Sequence, residues 1–420
     1  MISVILWVIT EILGVWFVNS QMVMPSERFP TAVWVLRFSL LAFVINLLSV
    51  PYNAVIIAHE RMAVFARISI LEAILRLLTV YVLYVVDIDK LFLYSILTTL
   101  VALIIRLVYG TYCKCHFKES HFEFVFDKSL LVSISKFTGW SFIGGGVVIL
   151  KDQGCNLLLN IFGGPAVNAA RGIAMQVNNG VYSFVSNFMT ASNPSITKSY
   201  AIGDLTAMRK LILQSQKFGF FILLILFLPL GASIDYVLKL WLIEVPAHTA
   251  NFIILILLYT LVECLVTPVC TGIIAQGEIK TYEITLTIIY AINIISVYAC
   301  LKAGMVVEST FVLNIIFKIL VLIALLWQSK EKYNFSIKGF LGQVIVPCLL
   351  VFIISSIFTC FIPWPDIDTF CGFVIKSMAI VGITTLMIFF LGMKKNERLF
   401  LREILKTKIL PKIKWFNHNS

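Results

Sequence analysis

The sequence predicts an all-α protein that crosses a membrane many times, and its composition supports this fold class. Of the 420 residues, 60% are hydrophobic and only 13% are charged, whereas soluble proteins carry about 25% charged residues. The mean hydropathy is +0.97, and 33 residues are phenylalanine. Because so few polar side chains could not cover a soluble protein of this length, we expect the chain to lie in lipid.

Membrane-spanning helices are predicted wherever about 20 consecutive residues are mostly apolar. Twelve segments meet this requirement, and 137–161 and 165–192 carry the most polar residues among them. In chain order the segments are 1–19, 32–57, 64–87, 90–113, 137–161, 165–192, 215–241, 249–275, 280–302, 306–328, 339–363 and 369–392. The connections are short, so a soluble catalytic domain is not expected.

The net charge is +11. The basic residues behind it are distributed along the chain as in a membrane protein and do not form one basic face. Alternate connections and the C-terminal tail hold most of the Lys and Arg residues, whereas the opposite connections hold only Arg28, Lys90 and Lys302. Since basic connections face the cytoplasm, both termini are predicted to be cytoplasmic, and no nucleic acid is expected as a partner. The tail mixes basic and apolar residues, which predicts an amphipathic segment on the anionic leaflet.

The sequence contains no recognisable motif for catalysis or metal binding. Cys113, Cys115 and His116 lie close together but fit no standard zinc spacing. A phosphate-binding loop, a nucleophile elbow and a paired-cysteine zinc motif are all missing. We therefore expect no metal, no cofactor and no enzymatic activity.

An internal repeat suggests how the helices are grouped. Residues 51–59 and 268–276 share Pro, Ile, Ile and Ala at matching positions, 217 residues apart. Subtracting 217 from the numbers of the helices 215–241, 280–302 and 306–328 places each of them on an earlier predicted helix. The same subtraction gives negative numbers for 137–161 and 165–192, so these two have no partners. Parallel repeats predict two like-facing lobes with a site between them, so we expect a first lobe that lacks one N-terminal hairpin. The predicted divisions are a four-helix lobe 1–113, a cytoplasmic connection 114–136, a six-helix lobe 137–328, two additional helices 339–392 and a basic tail 393–420.

Polar residues inside the predicted spans indicate the functional site, because a charge at the bilayer centre costs about 2.5–3.5 kcal/mol. Lys151 and Asp152 lie near the middle of one span, and Asp152, Asn156 and Asn160 share a helix face. The next span carries a second polar stripe, consisting of Asn168, Arg171, Asn178, Tyr182 and Ser186. Two such stripes predict the wall of a wet cavity, although Lys151 and Asp152 could instead form a purely structural pair. Between Gly139 and Lys151, the triplet Gly144-Gly145-Gly146 permits a kink or a close helix approach.

Further charges inside the spans have two interpretations each. Glu72 and Arg76 are spaced for an ion pair within one helix, and either could contact substrate instead. Glu263 and Lys318 could each form half of a pair between lobes or a proton site. The predicted cavity has a net positive charge. This charge suits a diphosphate better than a cationic drug, because Arg and Lys recognise phosphate.

Several segments resemble polysaccharide biosynthesis proteins of the multidrug/oligosaccharidyl-lipid/polysaccharide exporter superfamily. They are PYNAVIIAHERM at 51–62, GWS at 139–141, GPAVNAARG at 164–172 and NPSITKSYA at 193–201, which Gly203 and Asp204 follow. The resemblance covers essentially the whole chain and is most specific over 139–204. The chain is most similar to the Wzx-type O-antigen and capsule flippases of Bacteroides-like bacteria. Members of that family have two six-helix lobes, so this chain would begin at their third helix.

The resemblance implies a transporter of the bacterial inner membrane that moves a polyprenyl-diphosphate-linked oligosaccharide to the outer leaflet. A proton or sodium gradient would drive it, and other polysaccharide assembly proteins would be its partners. Within this resemblance, Lys151 and Arg171 are expected to contact the diphosphate. The other expected substrate contacts are Asp152, Asn156, Asn160, Asn178, Tyr182 and Arg76, and the candidates for ion coupling are Glu72, Glu263 and Lys318.

Three alternatives remain open from the sequence. The first is a cation-coupled multidrug exporter of the same superfamily. In such a protein carboxylates would be expected to dominate the cavity, and in this sequence they do not. A membrane glycan polymerase or ligase would need a large outer loop, and the predicted outer loops are short. A non-catalytic scaffold would account for the missing hairpin.

Overall fold

The computed structural model describes residues 7, 10–12, 14–16, 29–86, 89–120, 128–277, 279–361 and 369–404. Across these residues the regular secondary structure is helical, without strands, which confirms the predicted all-α fold. The chain divides into two compact units, Met1–Phe126 and Asp127–Ser420. Their division falls within the segment 114–136.

The described part of the first unit contains three long helices. They are α1 Phe29–Ala58, α2 Met62–Val85 and α3 Lys90–His116, followed by a 3₁₀ turn at Lys118–Ser120. Helix α3 packs against both α1 and α2 around a small core that includes Ile56 and Ile105. The Asp89 carboxylate starts α3 by accepting a hydrogen bond from the backbone N–H of Leu91 at 3.1 Å, because the first N–H groups of a helix have no partner within it.

The second unit holds the remaining described helices. They are α4 Lys128–Ala201, α5 Leu205–Ala232, α6 Ile234–Trp241, α7 Thr249–Ile274, α8 Lys280–Lys302, α9 Ser309–Tyr333, α10 Ile337–Phe340, α11 Val346–Phe361, α12 Phe370–Met387 and α13 Lys395–Ile404. Single π-helical turns join α10 to α11 and extend α12. Helix α4 packs against α5, α7 and α8, and α7 also packs against α5 and α9.

Ten helices among the described residues are long and apolar enough to cross a membrane. The predicted number is twelve, and two features explain the difference. The segments 137–161 and 165–192 form one helical run that is broken at a single residue. Most of the predicted helix 1–19 lies outside the described residues, although residues 7, 10–12 and 14–16 are helical.

The break in α4 occurs at Gly164, which has φ 80° and ψ −179°. L-residues avoid this conformation, whereas glycine adopts it without steric cost. Pro165 follows and has no backbone N–H to donate. The break divides α4 into a first arm, 128–163, and a second arm, 165–201.

The predicted helix 215–241 is wrong at its start and in its continuity. Helix α5 begins ten residues earlier, because the Asp204 carboxylate caps it by accepting a hydrogen bond from Ala207 N–H at 2.9 Å. It ends at Ala232, and 234–241 form the separate helix α6. The ammonium group of Lys376 donates to the freed carbonyl of Ala232 at 2.8 Å, which satisfies this helix end inside the bundle.

The C-terminal tail is described only in part. Its first portion forms α13, Lys395–Ile404, with basic and apolar residues interspersed. The predicted amphipathic segment beyond residue 404 lies outside the described residues.

Candidate functional site

Two buried lysines of the second unit share the same pair of tyrosines. Lys151, from the first arm of α4, lies 5.2 Å from the ring centre of Tyr259 and 5.4 Å from that of Tyr290. Lys318, from α9, lies 5.5 Å and 6.0 Å from the same rings and donates a hydrogen bond to the Tyr290 hydroxyl at 3.3 Å. Aromatic faces stabilise cations that have lost water, so α4, α7, α8 and α9 together enclose the two lysine ammonium groups.

Each of these lysines also has a carboxylate partner. Lys151 Nζ lies 2.8 Å from Asp152 Oδ1, and the Asp152 side chain is 46% exposed. Lys318 forms an ion pair with Glu263 of α7. Pairing offsets the large cost of taking an isolated charge out of water. Both lysine charges are therefore balanced.

Arg171 differs from the lysines because its partners are neutral. It lies at the end of the second turn of the second arm, and its Nη1 donates to Asn156 Oδ1 at 2.8 Å. Its Nη2 donates to the backbone carbonyl of Asp152 at 3.2 Å. Among the described residues it forms no salt bridge. The two predicted polar stripes thus contact each other through Arg171, and the positive charge of this side chain is not cancelled by a direct partner.

Two cavities adjoin these residues. The first has a volume of about 360 Å³ and the second about 90 Å³. Asp152, Asn178 and Tyr259 line both. Tyr182, Glu263 and Lys318 line only the first, whereas Lys151, Arg171 and Asn314 line only the second. The first volume lies within the range of small-molecule sites, about 300–1,000 Å³.

The structure brings together most of the sequence-predicted site residues of the second unit. Asn156 contacts the cavity wall through Arg171. Asn160 lies one turn beyond Asn156, is exposed, and lines neither cavity. Glu72 and Arg76 belong to the first unit, where Arg76 Nη2 lies 2.7 Å from Glu72 Oε1. Each of the two side chains is therefore already paired within α2.

Three residues of the site were missed by the sequence prediction. Tyr259 lies four residues before Glu263, and Asn314 lies four residues before Lys318. That spacing places each on the same helix face as a charge already singled out, so it is a signal that could have found them. Tyr290 has no such signal, because its role depends on the packing of α8 against its neighbours.

The glycine triplet of α4 mediates close approach rather than a kink. The helix is unbroken there, and a methyl group added to Gly144 would meet the carboxylate of Glu283 from α8. The same addition at Gly145 or Gly146 would meet nothing within 4 Å. Glu283 is buried and forms no salt bridge with any described residue.

Comparisons with known proteins identify the fold. No protein-family model matches the sequence, and no curated protein matches it. A similar solved structure is the crystal structure of a MATE in complex with MaL6, with a TM-score of 0.61. The similarity covers 79% of this chain and 77% of that chain at 15% sequence identity. The chain therefore has a MATE-like, polytopic helical membrane fold.

Metal binding has no evident position in the described part of the chain. No group of three or more His, Cys, Asp or Glu side chains there is arranged to hold a metal ion.

Proposed function

We propose that the chain is a membrane transporter that moves a polyprenyl-diphosphate-linked oligosaccharide, such as an O-antigen or capsule repeat unit, across the bacterial inner membrane by alternating access. The observation that carries this proposal is Arg171, a guanidinium with only neutral hydrogen-bond partners at a cavity inside a membrane-spanning bundle. Such a cation is costly in a membrane and is best explained by an anionic ligand.

The chemistry around Arg171 suits a diphosphate. A guanidinium offers a planar set of donors that matches phosphate oxygens, and two of its nitrogens remain anchored by Asn156 and the Asp152 carbonyl. Lys151 lines the same cavity. Its partner Asp152 is half exposed, so a phosphate can displace that carboxylate and gain a second cation.

Sugar contacts are assigned to the amides and the tyrosine of the larger cavity. Asn178 Oδ1 already accepts a hydrogen bond from Thr260 at 2.6 Å, which leaves its amide N–H groups to donate to sugar hydroxyls. Tyr182 lines the same cavity and offers a hydroxyl that can donate or accept.

Ion coupling is assigned to the pair Glu263–Lys318. Glu263 lines the cavity and also accepts a hydrogen bond from Thr267 Oγ1 at 3.3 Å. Binding of a proton or a sodium ion to this carboxylate would weaken its hold on Lys318. Arg76 and Glu72 are weaker candidates, because they line neither cavity of the candidate site.

The proposal is tested in a strain that lacks this gene. We expect lipid-linked oligosaccharide to accumulate on the inner leaflet while surface polysaccharide disappears. Wild-type protein should restore the surface coat, and Lys151→Ala and Arg171→Ala should not. Lys330→Ala, which removes an exposed lysine at the end of α9, serves as the matched control. A normal coat and normal lipid-linked oligosaccharide in the deletion strain would refute the proposal.

A second candidate function is cation-coupled drug export. Two carboxylates, Asp152 and Glu263, line the larger cavity beside Tyr259 and Tyr290, and carboxylates and aromatic faces bind organic cations. Under this alternative, the deletion strain would become sensitive to cationic drugs and keep its surface coat.

A further inference from the structure

A separate cleft lies at the end of the second unit where α5 begins and α12 ends. Its volume is about 1060 Å³, and none of its lining residues belongs to the cavities of the candidate site. The second arm of α4, the first half of α5, and the segment leading into α13 form its walls. We refer to it as the basic cleft, after Arg209, Lys210 and Lys394.

The charge of this cleft is positive. Glu397 is the only acid among the described residues that line it, and this carboxylate is already paired with Lys217 at 2.7 Å. The Lys217 side chain is only 3% exposed, so the pair is a buried link between α5 and α13. Arg209, Lys210 and Lys394 form no salt bridge with a described residue. Three positive charges therefore remain uncompensated at the cleft.

Arg209 is held in position without losing its charge. Its Nε donates to the carbonyl of Leu205 at 2.9 Å, and its Nη1 donates to the carbonyl of Asn334 at 3.1 Å. Because these partners are neutral, the guanidinium remains a preorganised cation that can receive an anion. This anchoring also ties the start of α5 to the turn after α9.

The remaining walls combine apolar surface with uncharged hydrogen-bonding groups. The apolar lining residues are Phe188, Leu211, Leu213, Phe218 and Met393. Gln214, Gln343 and Asn396 add amide groups. A site that combines cations, amides and apolar surface at one end of a membrane bundle matches an amphiphile with an anionic head.

We propose that the basic cleft binds the phosphate of an anionic membrane lipid, with the apolar walls contacting the beginning of its acyl chain. Arg209, Lys210 and Lys394 receive the phosphate, and the Lys217–Glu397 link holds α13 in place as one wall. This site is distinct from the substrate cavities and does not depend on which substrate the chain transports.

The test uses the purified full chain in lipid nanodiscs or detergent, titrated with phosphatidylglycerol and, separately, with phosphatidylcholine. Binding is followed by native mass spectrometry and by the melting temperature. We expect phosphatidylglycerol to bind and to raise the melting temperature more than phosphatidylcholine does. Lys210→Gln and Lys394→Gln should each weaken phosphatidylglycerol binding about fivefold, and the double variant about 25-fold.

Controls separate a lipid site from other causes. Lys330→Gln removes an exposed lysine that does not line the cleft and should change the affinity less than about twofold. Unchanged melting temperatures in phosphatidylcholine would show that the variants fold. Equal binding of both lipids, or equal losses in Lys330→Gln and Lys210→Gln, would overturn the proposal. If inorganic phosphate alone raised the melting temperature as much as phosphatidylglycerol does, the cleft would be a small-anion site, and the lipid assignment would be wrong.

Discussion

The ion pairs Glu72–Arg76 and Glu263–Lys318 contain the same kinds of charge in opposite settings. The first joins residues one turn apart on α2, and its side chains are 35% and 65% exposed. The second joins α7 to α9, and its side chains are 25% and 6% exposed. The first follows from spacing within one helix and does not join helices, whereas the second requires the fold and leaves a buried charge without its partner when broken. The comparison separates contacts within one helix from contacts that hold helices together.

The largest expected effect comes from breaking the contact between α7 and α9. Lys318→Ala should lower the free energy of unfolding by about 3 kcal/mol, because it leaves the Glu263 carboxylate without its partner. The measurement is reversible unfolding in mixed micelles. A double variant, Glu263→Gln with Lys318→Met, removes both charges and should recover most of the loss. If the double variant were as unstable as Lys318→Ala, the loss would come from packing rather than from the unpaired charge.

A smaller effect is expected where α4 approaches α8. Gly144→Ala should lower the free energy of unfolding by about 1–2 kcal/mol, because the new methyl group meets the buried carboxylate of Glu283. Gly145→Ala is the matched control from the same triplet, since nothing lies within 4 Å of the added group. The control should be neutral or stabilising, as alanine favours the helix. Equal losses at both positions would contradict the close approach.

A pH-dependent contact links the turns before α7 and α9. His248 Nδ1 lies 2.5 Å from Glu308 Oε1, and Asn251 Nδ2 lies 3.5 Å from the same oxygen. Burial raises the pKa of Glu308, but the hydrogen bonds from His248 and Asn251 outweigh it and leave the pKa below the ordinary value. The contact therefore stabilises the fold above the ordinary carboxyl pKa of about 4.3, and this stability is lost as the pH falls through the lower folded value.

This contact is expected to contribute under about 1 kcal/mol, because it lies near the surface. Melting temperatures of the wild type and Glu308→Gln, measured from about pH 6 down to about pH 3, test it. The two curves should converge at the acid end, where the wild-type carboxyl becomes neutral. Parallel curves over the whole range would exclude this carboxylate as the source.

The smallest effect is expected at the local pair itself. Glu72→Gln should lower the free energy of unfolding by only about 0.3 kcal/mol, because the two side chains lie one turn apart on one helix and stay paired when the helices separate in mixed micelles. The same mixed-micelle measurement applies. A loss comparable to that of Lys318→Ala would remove the distinction between the two pairs.

Much of the fold could be predicted from the sequence because lipid imposes simple length and polarity requirements. The contact between Arg171 and Asn156 follows from two polar stripes on consecutive spans. The same reasoning also predicts that Asn160 lies in the cavity, because Asn160 shares the helix face of Asn156. In the structure Asn160 is exposed and lines neither cavity. Helical periodicity assigns a face and cannot decide how far along it a cavity reaches.

The remaining features depend on tertiary structure. Tyr290 becomes part of the site because α8 brings it beside lysines from two other helices. The early start of α5 depends on one capping carboxylate, Asp204, in a region that hydropathy treats as a connection. Hydropathy averaged over a whole span detects neither a single capping side chain nor the packing of helices that are distant in the sequence.

The break at Gly164 also has a mechanical consequence for the polar residues on either side. Arg171 lies seven residues along the second arm, or about 10 Å from the break at 1.5 Å per residue. A rotation of about 10° at this fulcrum would move the guanidinium by about 2 Å. That displacement is enough to make or break its 2.8 Å hydrogen bond to Asn156. The backbone torsions of this one glycine therefore decide whether Arg171 stays in contact with Asn156, and a small swing of one arm would change the hydrogen bonding at the second cavity without unfolding a single turn.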